Sequence, residues 1–522
     1  MLRPLQRATV WLGFVALSGC SSSDDAELGT QTSSDGTDTS GGSGDGPSSS
    51  GREDGDSTSG DTEVSDADSS SDDDGGGCAA APYAPSADWY VAPTGTAGAA
   101  GTREAPIDLV TALSATGPVQ PGQRVMLLEG TYVGRFSSQV PGEPGAPIVY
   151  FAEPGARVTI DSNASGSGGA LSLGVAWVEV HGLEITTTED GRVSQQSGSS
   201  PSDISLVDGV TITAPNVKLV NNVIHDVAQG VSFWSNAIDG ELYGNIIYNN
   251  GWTAPDRGHG HAIYTQNATG TKHIVRNVIF FGFGFGVHAY TEGGSIQGFE
   301  VVENVWFRTG AASPGQTGHT DGLLVGGLQP VARTRLVGNL SYAPGVGARG
   351  TQLGWGGSVE NEDITLLDNF LVGRLGFNGH WQQGTLNGNV LHSELSGVDP
   401  ADFPDNTYSD SLPRGHRIIV RDNEYDPSRA ELVLYDWDET GSVAVDLGDV
   451  VPVGAAFEVY SVFDLWGAPV AEGVYQGGTV DVPLGSRPAP EPQGLSGTIV
   501  GDEDPGARFG VFVVRHELCT ER

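Results

Sequence analysis

An asparagine followed by apolar residues returns along this chain at near-regular intervals. Asn222-Val-Ile, Asn245-Ile-Ile, Asn277-Val-Ile, Asn304-Val-Trp, Asn339-Leu-Ser, Asn369-Phe-Leu and Asn389-Val-Leu are separated by 23, 32, 27, 35, 30 and 20 residues. The mean, about 28, is a period of stacked repeats, each of which can bury its apolar side only against its neighbours. Asn suits a tight turn ahead of each strand, and its amide can bond to the Asn of the next coil. The longer intervals predict inserted loops. Val178-Glu-Val-His-Gly-Leu-Glu-Ile185 reads as one coil ahead of the series.

Upstream, residues 105–114 carry apolar side chains at helical spacing. Val125-Met-Leu-Leu128 is a strand run that leads into Gly130-Thr-Tyr132, and Ile148–Ile160 holds a strand pair around Ala152-Glu-Pro-Gly-Ala-Arg-Val-Thr-Ile160. This succession resembles the opening of secreted right-handed parallel β-helix proteins, the pectin-lyase-like class. The resemblance covers residues 85–405 and implies that the helix caps the open end of the coil, shielding a sheet edge. From His416 the pattern changes to short strands between Gly, Pro and Asp turns, which predicts an antiparallel sandwich over 412–522. The expected fold class is all-β: a right-handed parallel β-helix with a short N-terminal capping helix, followed by a C-terminal antiparallel β-sandwich.

At the N-terminus, Arg3 and Arg7 precede a short apolar stretch, Ala8–Leu17, too short to span a bilayer. Leu17-Ser-Gly-Cys20 resembles the lipobox of bacterial lipoproteins. That resemblance implies a signal peptide at 1–20, a lipid on Cys20 and, with Ser21 in place of Asp, the outer membrane as destination, facing the periplasm or the cell surface. Residues 21–77 hold sixteen acids against Arg52 alone, with almost nothing apolar. Such a tract cannot offset the entropy of ordering and predicts an extended acidic tether over 21–84. The net charge of -40 leaves -27 from Cys78 onward. That acidity excludes an electrostatic grip on nucleic acid. With Cys20 lipidated, Cys78 and Cys519 make an even count, and a disulfide between them is expected in an oxidising compartment.

Candidate chemistry gathers where histidines cluster. Aligned on a glycine, Gly230-Val-Ser-Phe-Trp234, Gly260-His-Ala-Ile-Tyr264, Gly286-Val-His-Ala-Tyr290 and Gly322-Leu-Leu-Val-Gly326 read as successive strands. Alternation then turns Val231, Phe233, Ile263, Val287, Ala289, Leu323 and Val325 inward. It turns Ser232, Trp234, Ala262, Tyr264, Gln266, His288, Tyr290, Glu292 and Leu324 outward. Trp234, Tyr264 and Tyr290 are expected to form an aromatic column with His288, Gln266 and Glu292 beside it. His261 falls in the inward register unless the turn relieves it. His259 and Asp321 sit just ahead of the aligned glycines, and His319 two residues further back. Gln352, Trp355, His380 and Trp381 extend the aromatic character.

These residue types suit a polysaccharide: rings cover sugar faces, while amides and carboxylates bond hydroxyls. A β-eliminating lyase needs a base (His288 or His259), an acid (Tyr290 or Tyr264) and a group that neutralises a uronate (Gln266, Asn267 or Arg257). A glycoside hydrolase needs two carboxylates, here Glu292 and Asp321. Gly258-His-Gly260 and His319-Thr-Asp-Gly322 resemble polygalacturonase motifs, but stand in reversed order without the Asp-Asp pair, so that assignment is rejected. No ligand spacing for a metal is recognisable, and no cofactor is expected. The expectation is a monomeric, lipid-anchored carbohydrate-active protein, lyase or hydrolase, that touches the membrane only through its lipid. The alternative is a non-catalytic glycan-binding or adhesive lipoprotein.

Overall fold

The computed structural model describes residues 79–163, 168–205, 207–313, 320–344, 350–392, 394–485, 487–495 and 506–520. The signal at 1–20, Cys20, the tether up to residue 78, Cys78 and His319 lie outside the described residues.

Three parallel sheets wind through the coil. The first runs from Trp89–Val91 to His380–Asn387 in eleven strands, and the second from Gly130–Val133 to Thr407–Tyr408 in eleven. The third runs from Phe136–Ser138 to Leu395–Ser396 in ten. The chain visits them in turn, making a right-handed parallel β-helix. Inward side chains stack in columns down the bore; Leu242, Ile274, Val301, Leu336, Leu366 and Leu386 form one of them, all buried. Each such side chain contributes roughly 1.5–3 kcal/mol by leaving water. The predicted capping helix is Leu109–Leu113. Asp108 accepts from the Thr111 N–H at its start, and Leu109, Ala112 and Leu113 are buried.

The asparagine repeat is a hydrogen-bonded ladder at the corner between the first and second sheets. Each Nδ2 donates to the Oδ1 of the next rung, from Asn222 through Asn245, Asn277, Asn304, Asn339, Asn369 and Asn389 to Asn406, at 2.7–3.1 Å. The residue ahead of a rung turns left-handed, with φ of 56° at Asn221, 53° at Arg276 and 54° at Glu303. That turn aims the amide along the helix axis.

Second-sheet strands are apolar on both faces: Val223, Ile246, Val278 and Val305 are buried on the outside as Ile224, Ile247 and Ile279 are on the inside. The C-terminal sandwich covers that outer face. Its five-stranded sheet runs in the order His416–Asp422, Arg429–Asp436, Phe509–His516, Ala456–Ser461, Ala471–Val474. Along Arg429–Asp436, Leu432 and Leu434 enter the sandwich core, while Val433 and Tyr435 pack on the coil. An aromatic column does exist in this fold, but on the second sheet. His225, Tyr248, Phe280, Phe307 and Tyr342 are in register, with ring centroids 4.8–5.0 Å apart along the first four. Phe509 of the sandwich stacks on Tyr342 at 4.8 Å. The sandwich thus closes the outer face of the second sheet and leaves the outer faces of the first and third sheets without it.

Ala79–Ala81 pairs antiparallel with Leu518–Thr520. Cys519 is disulfide-bonded, and the chain's other two cysteines lie outside the described residues.

Candidate functional site

The third sheet presents three rows of side chains, with successive coils about 4.8 Å apart. At its corner with the second sheet, the N–H groups of Gly209, Gly230, Ala262 and Gly286 donate to the carbonyls of Gln229, His261, Phe285 and Asp321. Asp208, Gln229, His261, Phe285 and Asp321 therefore follow one another along the corner. The middle row is Ser232, Tyr264, His288, Leu324 and Gln352. The third row is Trp234, Gln266 and Tyr290, whose N–H groups bond back to residues 212, 233 and 265.

This register corrects the expected alignment by two residues at one coil. Ala262, not Gly260, matches Gly230 and Gly286, because the hairpin of Trp252–Thr253 and Gly258–His259 closes on Gly260. That glycine has φ of 82°, and a Cβ there would sit 2.3 Å from the Ala228 carbonyl oxygen. An even shift keeps the inward set inward. It moves Tyr264 beside Ser232 and His288, so the expected Trp234–Tyr264–Tyr290 column does not form. Trp234 meets Tyr264 edge to face at 5.6 Å instead.

His288 is the centre of the face. Its Nδ1 lies 3.1 Å from His261 Nε2. Phe285 and Tyr290 stack on its ring at 4.4 and 5.0 Å, and Tyr264 tilts against it at 5.5 Å. Gln266 Nε2 donates to the Tyr264 hydroxyl at 3.3 Å, and the Tyr290 hydroxyl donates to Glu292 Oε1 at 3.4 Å. Burial and the charge of Glu292 push the Tyr290 phenol up to about 12, against the pull of Arg257. Tyr290 is thus a neutral phenol at physiological pH. Arg257, at the hairpin tip, donates to Ser199 Oγ at 3.1 Å. Burial lowers its guanidinium, while the neighbouring Asp256 and Tyr290 hold it up. Trp234 and Trp355 are exposed at the margins, with Trp355 edge-on to Tyr290 at 6.3 Å.

Other sequence candidates lie apart from this centre. His259 is buried, stacked on Trp252 at 5.3 Å, with Nε2 3.1 Å from Asp256. Burial and the charge of Arg257 push it below the ordinary histidine value. Asp321 is buried, and Arg374 Nη2 donates to its two oxygens at 3.1 and 3.2 Å. Burial still leaves its carboxyl above the ordinary range. Asn267 is buried and secures a turn by donating to the Gln297 carbonyl at 2.8 Å. His380 and Trp381 stand on the first sheet, the former beside Glu360 and the latter against Phe377.

Two corner residues join the site that sequence reasoning did not select. His261 falls in the inward register by parity unless the turn relieves it; alternation does lapse at the corner, and its ring lies against His288. Asp208 accepts from Ser232 Oγ at 2.6 Å. Burial pushes its carboxyl up to about 6, opposed by Ser232 and the charge of Arg135. The signal for both is positional: each stands two residues ahead of the first inward residue of its strand. Among the described residues, no three His, Cys, Asp or Glu side chains converge to hold a metal.

No family model matches the sequence, and a search of curated proteins finds no match. Among solved structures the chain is similar to pectate lyase Pel9A, at 17% identity and TM-score 0.41, over 60% of this chain and 78% of that one. XylC, solved in complex with xylose, gives 12% identity and TM-score 0.38 over 76% and 95%. A rhamnogalacturonan lyase gives 13% and 0.31 over 62% and 88%. Likenesses this weak say nothing about what the chain acts on.

Proposed function

We propose that the outer face of the third sheet cleaves an acidic glycan by β-elimination. The observation that carries this reading is the His288–His261 pair, 3.1 Å apart, set between Tyr264 and Tyr290 with Arg257 within electrostatic reach. In the productive tautomer His288 Nδ1–H donates to His261 Nε2, which leaves His288 Nε2 as base. It takes the proton beside the uronate carboxylate. The electron pair forms the C=C bond, the C–O bond to the leaving sugar breaks, and Tyr290 hands its phenolic proton to that oxygen. Arg257 stabilises the charge that builds on the carboxylate. Trp234 and Trp355 take sugar faces on either side. A hydrolase built on Glu292 and Asp321 is less well served, because Arg374 already engages the Asp321 carboxylate. On a fold of such acidity, Arg257 supplies the local positive charge for an anionic chain.

The same reading places the chain at the bacterial outer membrane, with a lipid on Cys20, residues 21–77 as a leash, and Cys78 as the partner of Cys519. Mass spectrometry of the amino-terminal peptide tests the lipid. For the chemistry, the purified full-length chain is incubated with a polysaccharide panel while the ultraviolet band of unsaturated uronates is followed. His288→Ala and Tyr290→Phe are each expected to abolish its growth. Turnover unchanged in both variants would sink the assignment. Cutting without the band would favour hydrolysis. Retention of glycans in affinity gels without cutting would favour a binding protein.

A further inference from the structure

A cavity of about 740 Å³ lies away from the third sheet, in the cleft between coil and sandwich. Three arginines line it, and two of them, Arg429 and Arg515, stand directly opposite each other on neighbouring antiparallel strands, with Glu458 opposite Arg515 on its other side. Like charges in that position repel. Neither guanidinium is in an ion pair among the described residues; Arg515 lies over the Tyr460 ring at 4.6 Å. The acids that line or flank it each have another partner: Glu431 has Arg421 at 2.9 Å, Asp426 has Ser428 at 2.6 Å, Glu517 has the Ala456 N–H at 3.2 Å, Glu153 has Arg103 at 2.6 Å, Glu179 has His181 at 3.0 Å, Glu458 has the Tyr460 hydroxyl at 2.9 Å and Glu424 has Arg276 at 3.9 Å. Burial and the charge of Arg515 lower the Arg429 guanidinium to about 10. Two cations are thus held together with donors to spare, in a pocket of a size that ordinarily takes a small ligand.

The walls add ring surfaces. Phe151 and Trp466 line the cleft, with Arg124 over the Phe151 ring at 4.8 Å and Arg157 over the Trp466 ring at 4.4 Å. Tyr83 lines it as well. Planar guanidinium forks match a planar carboxylate, and aromatic rings match the apolar face of a sugar.

We infer that this cleft is a second, non-catalytic glycan site, for a short oligosaccharide that carries a carboxylate. Arg429 and Arg515 hold the carboxylate, and Phe151 and Trp466 hold the ring. The inference is independent of cleavage at the third sheet, since no residue is shared between the two places. It gives a purpose to two like charges set directly opposite each other.

The test is calorimetric titration of the full-length chain in a His288→Ala background, so that no cleavage intervenes. The probes are a galacturonate trimer and its neutral galactose counterpart. The charged trimer is expected to bind at least tenfold more tightly. Arg515→Met is expected to weaken it at least tenfold while raising the thermal midpoint of the unliganded protein. In the otherwise native chain, Arg515→Met leaves turnover at the third sheet unchanged. Trp466→Ala weakens both trimers. Equal affinity for the two probes, no binding of either, or binding indifferent to Arg515→Met would overturn the inference. Loss of turnover with binding intact would instead count against the cleavage reading alone.

Discussion

The His225 cluster predicts how stability responds to pH. His225 heads the aromatic column under the sandwich, stacked on Tyr248 at 4.8 Å. Its Nδ1 lies 2.8 Å from Asp226 Oδ2 and its Nε2 3.0 Å from Glu184 Oε1. Glu184 in turn takes two hydrogen bonds from Arg157, both 2.7 Å. Burial alone would push His225 down. Hydrogen bonds to Asp226 and Glu184, and their charges, override it and hold the imidazole at about 9 instead of the usual 6.5. A shift of that size is worth about 3 kcal/mol. A raised histidine stabilises the folded state fully below its unfolded pKa. The contribution is therefore complete below about pH 6.5, falls by about 1.4 kcal/mol per pH unit, and is gone just above pH 9. Glu184 sets the acid limb, since burial would raise its carboxyl but bonds from His225 and Arg157 hold it at about 2. Its share is lost as pH falls from 4.5 toward 2. Urea unfolding from pH 5 to pH 10 reads the effect. His225→Gln should be less stable than wild type by about 3 kcal/mol at pH 6 and by little at pH 9.5. A variant whose stability runs parallel to wild type across that range would refute the argument.

Three further expectations concern the fold. Asn304 Nδ2 donates to Asn339, Ile274 and Val302, and its Oδ1 accepts from the N–H and Nδ2 of Asn277, so Asn304→Ala strands several buried groups. Chemical denaturation should show a loss of about 2–4 kcal/mol, and a loss under about 1 kcal/mol would mean the ladder is decorative. Asp208 is half-buried and desolvation raises its carboxyl to about 6, so its ionisation above pH 6 opposes folding. Asp208→Asn should raise the thermal midpoint at pH 8, with the gain fading toward pH 4. Phe307 is buried between Phe280 and Phe509 where the sandwich docks. Phe307→Ala should cost about 3–5 kcal/mol in urea unfolding, and a smaller loss would argue that the two parts are only loosely joined.

The coil was legible because its repeat is written in one residue type at a turn that needs it. Asn406 escaped only because a polar tripeptide follows it, although it accepts from Asn389 Nδ2 at 2.7 Å as the eighth rung. The docking of the sandwich was also written in the sequence. Val278-Ile-Phe280 and Val305-Trp-Phe307 do not alternate, and a strand without alternation is buried on both faces. The site was harder. Glycine was the wrong ruler at Gly260, which serves a hairpin rather than a strand. Parity alone left His261 open between bore and surface, since alternation describes strands and not corners. His380 and Trp381 looked contiguous with Trp355 because position along the chain does not say which of three sheets a strand joins.

The pairing of Ala79–Ala81 with Leu518–Thr520 has a mechanical consequence. The first described residues of the chain are zipped to the last strand, and the Glu517 N–H bonds the Ala456 carbonyl at 3.0 Å. A pull on the chain ahead of Ala79 is thus passed to the sandwich, and through its aromatic seam to the flank of the coil. The coil's own first strand, Trp89–Val91, pairs with Arg124–Leu127 on one side and is bridged to Ile107 on the other. It is still the terminal strand of its sheet. Closing the two ends on each other moves the load from that terminal strand to the apolar seam between sandwich and coil, as a mooring line is made fast to the keel and not to the outermost plank.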